Sequence, residues 1–165
     1  MKKNRIVPGP GQESVWDYPR PPRLESFTKH IRIIHGDTIL ADTNRAFRVL
    51  ETSHPPVYYL PPADVRMDLL KLHSGKSSFC EFKGQAAYWD ITLSGHLVVQ
   101  AAWSYPTPSR SFLPIKDYLA FYPSKVDACY VDGEQVRAQE GDFYGGWITS
   151  NIVGPFKGGA GTWGW

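Results

Sequence analysis

Three turn signals, each set between runs that alternate apolar and polar residues, constrain this chain more than any other feature. Gly36-Asp37 follows "HIRIIH" and precedes "TILAD", Ser94-Gly95 separates "AAYWDITL" from "HLVVQAAW", and Asp132-Gly133 divides "VDACYV" from "EQVRA". Two-residue hairpin turns need positive φ at their central residues, which Gly, Asn and Asp accept most readily, so each pair predicts an antiparallel hairpin. "RAFRVLE" alternates in the same way and predicts a further strand, and "DYLAFYP" supplies one more. "VYYL" reads as a short strand fenced by Pro55, Pro56, Pro61 and Pro62, residues that suit strand ends and sheet edges. Helical signals are confined to residues 62–68 and 109–118, each long enough for a turn or two. The 14 prolines, 15 glycines and 14% aromatic content fit the same reading of short strands and many turns. The expectation is an all-β fold: one strongly bent antiparallel domain, tent- or barrel-like, with short helical turns.

A chain of 165 residues is long enough to bury a core of its own without a disulfide or a metal. Three segments are expected. Residues 1–28 form a Pro/Gly-rich irregular arm, residues 29–138 the all-β core, and residues 139–165 a Gly/Trp-rich arm that packs on the core. Tryptophan carries about 150–250 Å² of surface that gains by leaving water, so Trp147, Trp163 and Trp165 argue for an ordered arm. Alternatively, Trp163 and Trp165 dock into a partner, and the terminal arms then mediate a homo-oligomer.

The net charge of +2 is small, and the one basic cluster, "MKKNR", is short. No dense basic face for nucleic acid is expected. No apolar run approaches the roughly 18 residues of a membrane span, and the start lacks the apolar centre of a signal peptide. These features predict a protein of the cytoplasm, independent of membranes. Cys80 and Cys129 form no C-x-x-C pair, and no His-rich metal pattern occurs, so no structural zinc is expected.

Reactive residues concentrate in a few stretches. In "ETSHPPVYYLPPADVRMDLL", His54 precedes two prolines that restrict its backbone, and it is a candidate acid–base near neutral pH. Tyr58, Asp64 and Arg66 are ligand-binding candidates. On a strand Asp64, Arg66 and Asp68 share one face, which describes either a solvent-facing ion pair or an anion-reading arginine held by carboxylates. In "SFCEFKGQAAYWD", Cys80 is either a nucleophile assisted by Lys83 or a packed residue lining a pocket. Lys83, Tyr88 and Trp89 join the ligand candidates here, and "AAWSYPTPSR" adds Trp103 and Tyr105. No nucleophile-elbow, phosphate-cradling or dinucleotide motif is present.

In order along the chain, Pro56-Val57-Tyr58-Tyr59 with Pro61, Asp64-Val65, Asp68-Leu69, Cys80 with Lys83-Gly84, Tyr88-Trp89, Ala102-Trp103-Ser104-Tyr105-Pro106 and Ala120-Phe121-Tyr122-Pro123 resemble the family known as domain of unknown function 427. The resemblance spans roughly residues 29–135. It implies a highly bent all-β domain similar in topology to translationally controlled tumour protein and methionine sulfoxide reductase B, without the zinc-binding cysteine pairs of relatives with that topology. Where the family has proline after the cysteine, this chain has Glu81, which sets a carboxylate beside the thiol and opposes a thiolate. One label given to the family is nucleotidyltransferase, and that reading alone calls for Mg²⁺, which Asp64, Asp68 and Asp90 would have to hold. The expected function is therefore a small-molecule pocket for an anionic or nucleotide-like ligand, either an enzyme or a non-catalytic binding domain.

Overall fold

The computed structural model describes residues 4–141 and 143–165, with Lys76 described by its backbone alone. Met1–Lys3, and with them most of the basic start, lie outside the described residues. In chain order the strands are β1 (Glu13–Ser14), β2 (Arg23–Phe27), β3 (Ile31–His35), β4 (Thr38–Thr43), β5 (Ala46–Leu50), β6 (Val57–Tyr59), β7 (Leu70–Cys80) and β8 (Gly84–Leu93). There follow β9 (His96–Ser104), β10 (Ala120–Phe121), β11 (Ala128–Val131), β12 (Glu134–Gln135), β13 (Arg137–Ala138), β14 (Trp147–Ile148) and β15 (Ile152–Val153). Helical structure is limited to short 3₁₀ turns, the longest at Arg110–Ile115.

Gly36 and Asp37, Ser94 and Gly95, and Asp132 and Gly133 all have positive φ, from 50° to 83°, so the three hairpins carry the turn geometry that their sequences call for. The β3–β4 hairpin pairs with β11 and β12 in one antiparallel sheet. A second sheet has the order β10-β9-β8-β7, and a third the order β2-β5-β6. Leu60 and Leu119 exchange two backbone hydrogen bonds of 2.8 Å, which join these two sheets edge to edge through β6 and β10. The result is a long bent sheet, β2-β5-β6-β10-β9-β8-β7. Among the described residues every strand order is open, so the fold is all-β without a closed barrel.

Alternation along the long sheet sends its apolar residues to both faces. Tyr58, Ile91, Ala102 and Phe121 join Ile31, Ile33 and Leu40 in the main core, beneath the β3–β4 sheet. Their chain neighbours Tyr59, Trp103 and Ala120 point the other way, into a second, tyrosine-rich cluster with Tyr88, Tyr105 and Phe112.

Five strands fall where the sequence suggests none: β1, β14 and β15 within the terminal arms, and the longer β2 and β7. β2 lies in the segment read as the N-terminal arm and pairs along its whole length with β5. β7 is an edge strand with a register shift between Leu72 and Ser77, and bulges are common at such edges. Both termini meet on the far side of the second cluster. There β1 runs parallel to β15, and Val15, Trp16, Tyr18 and Ile152 form a small core with Leu50. Arg48, nearly buried, ties this region to the sheet through Glu13 and Glu25 at 3.0 and 2.9 Å. Among the described residues no helix is long and apolar enough to cross a membrane.

Candidate ligand-binding site

A cavity of about 490 Å³ lies between the tyrosine-rich face of the long sheet, the β7–β8 hairpin and the C-terminal segment. That volume is within the range of small-molecule sites. Its three sides have different origins.

The sheet supplies a wall of rings and hydroxyls. The Trp103 indole Nε1–H donates to the Tyr59 hydroxyl at 3.3 Å, and the Trp103 ring lies 4.5 Å from that of Tyr122. Ser78 Oγ and the Tyr88 hydroxyl share a 2.7 Å hydrogen bond. The Tyr122 hydroxyl donates across to the Phe143 carbonyl at 3.4 Å. Burial raises the pKa of Tyr59, Tyr105 and Tyr122 well above the ordinary phenol value, and neighbouring weak acids add to it: Tyr105 for Tyr59, Cys80 and Tyr88 for Tyr105, and Tyr88 for Tyr122. At neutral pH these phenols are therefore uncharged hydrogen-bond donors.

The opposite side is built around the turn at 51–54. Ser53 takes a positive φ of 72° there, and the two terminal segments clamp it: its N–H donates to the Val15 carbonyl at 3.0 Å and its carbonyl accepts from the Lys157 N–H at 2.8 Å. This fixes His54, whose ring packs edge-on against Tyr144 at 4.8 Å. The Thr52 carbonyl accepts from His54 Nδ1 at 2.9 Å and from Arg20 at 2.8 Å. With its proton on Nδ1, the neutral imidazole keeps Nε2 as a base. Burial lowers the His54 pKa below the usual histidine value, with Lys157 and Arg20 acting in the same direction and Glu51 against it. Glu51 is itself paired with Arg20 at 3.3 Å.

The β7–β8 hairpin forms the third side. Residues 81–83 form a three-residue hairpin loop, with Cys80 paired to Gly84 in register. Ser109 N–H holds the loop through the Lys83 carbonyl at 2.9 Å. The Lys83 ammonium lies over the rings of Tyr105 and Phe112, 6.0 and 5.8 Å from their centroids. Among the described residues no hydrogen bond joins Cys80 to His54 or to Lys83.

Six of the ten site residues expected from sequence line this cavity: His54, Cys80, Lys83, Tyr88, Trp103 and Tyr105. The other four lie elsewhere. Tyr58 and Trp89 sit one residue out of phase and pack on the main core, with the Trp89 Nε1–H donating to Ser104 Oγ at 2.9 Å. The line of charges at 64–68 does not share a strand face, because Pro62–Asp64 and Met67–Leu69 are separate 3₁₀ turns. Asp64 accepts from Thr43 at 2.7 Å and from Arg45 at 2.9 Å, which holds its carboxyl below the usual range. Arg66 pairs with Asp68 on the surface at 2.7 Å.

Residues outside those ten also line the cavity: Arg20, Glu51, Tyr59, Tyr122, Tyr144 and Lys157. Strand phase could have found Tyr59, since its neighbour Tyr58 faces the core. Nothing local marks Arg20 or Lys157, which arrive through contacts between distant segments. Trp165 reaches the cavity with its ring 5.4 Å from that of Trp16, whereas Trp163 is 93% exposed.

A family model described as Domain of unknown function (DUF427) matches residues 23–132, and its label, NTP_transf_9, refers to nucleotidyl transfer. A search of curated proteins returned no match. Nucleotidyl transfer implies Mg²⁺ held by converging carboxylates. The candidates do not supply that arrangement: Asp64 and Asp68 are engaged by arginines, and Asp90 by His73 at 3.0 Å and the Gln100 N–H at 2.8 Å. Among the described residues no three His, Cys, Asp or Glu side chains are placed to hold a metal ion. The cavity's own carboxylates, Glu51 and Glu81, come from different sides of it. The residues present do not fit an Mg²⁺ site.

Proposed function

The chain belongs to the family described as domain of unknown function 427, and from that premise we propose that it binds a small anionic ligand with a flat ring in the cavity beside the long sheet. One observation carries this reading: one cavity is lined by the Trp103 ring, by phenol donors and by two lysines, Lys83 and Lys157. Aromatic walls with a few placed polar groups are what a small-molecule site requires. The ring lies against Trp103, the oxygens meet Tyr88 and Tyr105, and the negative charge faces Lys83 or Lys157. His54 gives the site a neutral base, so the proposal extends to an enzyme that moves a proton.

A second reading, a binding domain without turnover, is favoured by the hydrogen bonds that the wall hydroxyls already make, Ser78 with Tyr88 and Trp103 with Tyr59. In that case His54→Ala and Cys80→Ala lose affinity modestly and nothing else.

The test is a thermal-shift panel of small aromatic acids, sugar phosphates and nucleotides, each with and without Mg²⁺. A ligand at about 100 times its Kd adds roughly 2.7 kcal/mol, or about 5–10 °C in a domain of this size. Aromatic acids are expected to produce this shift and Lys83→Ala to shrink it. A shift confined to nucleotides and dependent on Mg²⁺ overturns the reading in favour of the family label.

A further inference from the structure

The chemistry this cavity can perform follows from what its groups can give and take. A covalent route through Cys80 lacks a hydrogen-bonded base among the described residues, and phosphoryl chemistry lacks a metal site. What remains is a neutral imidazole on one side and uncharged phenols on the other. These are the two halves of a proton transfer at carbon: a base for the proton, and donors for the oxygen on which the charge appears.

The donors are ordered. The Trp103 indole donates to the Tyr59 hydroxyl at 3.3 Å, and Tyr59, only 1% exposed, is the hydroxyl neighbour of Tyr105. The Tyr59 ring packs against that of Tyr105, 6.3 Å between centroids, and Tyr105 in turn lines the cavity. A donor aimed at a developing oxyanion is worth most where water is excluded. Lys83 lies beside the same ring, 6.0 Å from its centroid, where a carboxylate attached to the reacting group would meet it.

We propose that this cavity enolises small α-oxo acids, with His54 as the base and the Tyr105 hydroxyl as the oxyanion donor. His54 Nε2 removes a proton from the carbon next to the carbonyl. The C–H electron pair becomes the new carbon–carbon double bond, and the carbonyl π pair moves onto oxygen. The Tyr105 hydroxyl holds the enolate oxygen, with Tyr59 and Trp103 positioning it, while Lys83 pairs with the carboxylate. Return of the proton to carbon restores the ketone, and its delivery to oxygen gives the enol; either step restores neutral His54. No oxidant, metal or second substrate is consumed. The inference rests on the reading of this cavity as the ligand site and adds the substrate class and the reaction.

The probe is phenylpyruvate in D₂O, with loss of its methylene proton signal followed by NMR and binding followed separately by quenching of tryptophan fluorescence. The full-length protein is expected to exchange the methylene protons about 100-fold or more above the buffer rate, the usual worth of a positioned acid or base. His54→Gln is expected to return the rate to that of buffer while still quenching, and Tyr105→Phe to lower it by about 10²-fold, as loss of one oxyanion donor does. Lys83→Ala, a change at a hairpin tip that leaves the sheets intact, is expected to raise the phenylpyruvate concentration giving half-maximal exchange and to leave the maximal rate nearly unchanged. Binding with exchange at the buffer rate overturns the enolisation and leaves the binding site standing. Failure of phenylpyruvate to bind, when other acids of the panel do, overturns the substrate class. Silence of the whole panel overturns the site itself.

Discussion

The two principal walls of the cavity are held in place by different means. The sheet wall is a consequence of strand pairing: Tyr88 faces Trp103 across β8 and β9, and Trp103 faces Ala120 across β9 and β10. Ladder hydrogen bonds on both sides fix those rings, and all of them lie within the family-matched residues 23–132. The opposite wall has no ladder. His54 belongs to the matched segment, but its turn is clamped by Val15 and Lys157, and Tyr144, Lys157 and Arg20 all come from outside the match. The family core thus provides the floor of rings and hydroxyls, while this chain's own ends set the base and one of the cations.

The largest effect is expected where the C-terminal segment enters the core. Trp147 is fully buried, donates from Nε1 to the Phe121 carbonyl at 3.0 Å and packs on Tyr58 at 5.0 Å. Trp147→Ala should cost about 3–5 kcal/mol by the usual scale for a buried aromatic, read as a lower midpoint in denaturant. Trp163→Ala, at a position 93% exposed, should fall within about 0.5 kcal/mol of the parent. Equal losses at both sites would show that the described packing of the segment is wrong.

A smaller change separates the walls directly. A Cβ on Gly145 would stand 2.3 Å from the Trp103 ring and 3.2 Å from Tyr122, so the chain passes the sheet wall where only glycine fits. Gly145→Ala has to lift the segment or turn the indole, at about 1–3 kcal/mol. Ligand affinity should fall with it, whereas the β3–β4 and β11–β12 hairpins, which belong to the other sheet, should keep their amide protection in hydrogen exchange. Loss of protection throughout would mean that the two walls are not separable.

How much of this was legible in the sequence follows the same division. The three hairpins were readable because their turn residues must adopt positive φ, a local demand that local sequence records. Six cavity residues were readable because aromatic and reactive types cluster in short stretches of strand and adjoining turn. Phase was harder: Tyr58 and Tyr59 differ by one position, and the choice between faces depends on which sheet covers which side. β7 gave no signal because "KLHSGKSS" is an edge strand with a bulge, where neither alternation nor apolar content is required. The charges at 64–68 were misplaced because Pro61 and Pro62 start a 3₁₀ turn that ends the strand period. Arg20, Tyr144 and Lys157 were invisible for a different reason: their contacts, Arg20 with Thr52, Tyr144 with His54 and Lys157 with Ser53, join segments distant in sequence, and no local pattern encodes them.

The smallest effect is the most specific to the clamped wall. Burial depresses the His54 pKa, so the folded protein resists a proton that the unfolded chain accepts near pH 6.5. Above that pH both states are neutral and the group contributes nothing. As pH falls through 6.5 the unfolded state binds more protons, and stability declines until the pH passes the lower folded value, below which the loss is complete. The melting temperature of the parent should therefore fall below about pH 6.5 more steeply than that of His54→Gln, and the difference curve isolates this residue from the other four histidines. Asp42, Asp64 and Asp90, whose pKa values are lowered, act only at more acid pH. If the clamp keeps His54 dry, Gly145→Ala should shrink the difference by letting water reach the ring. A difference unchanged by Gly145→Ala would mean that the 51–54 turn, and not the segment packed over it, shields the imidazole.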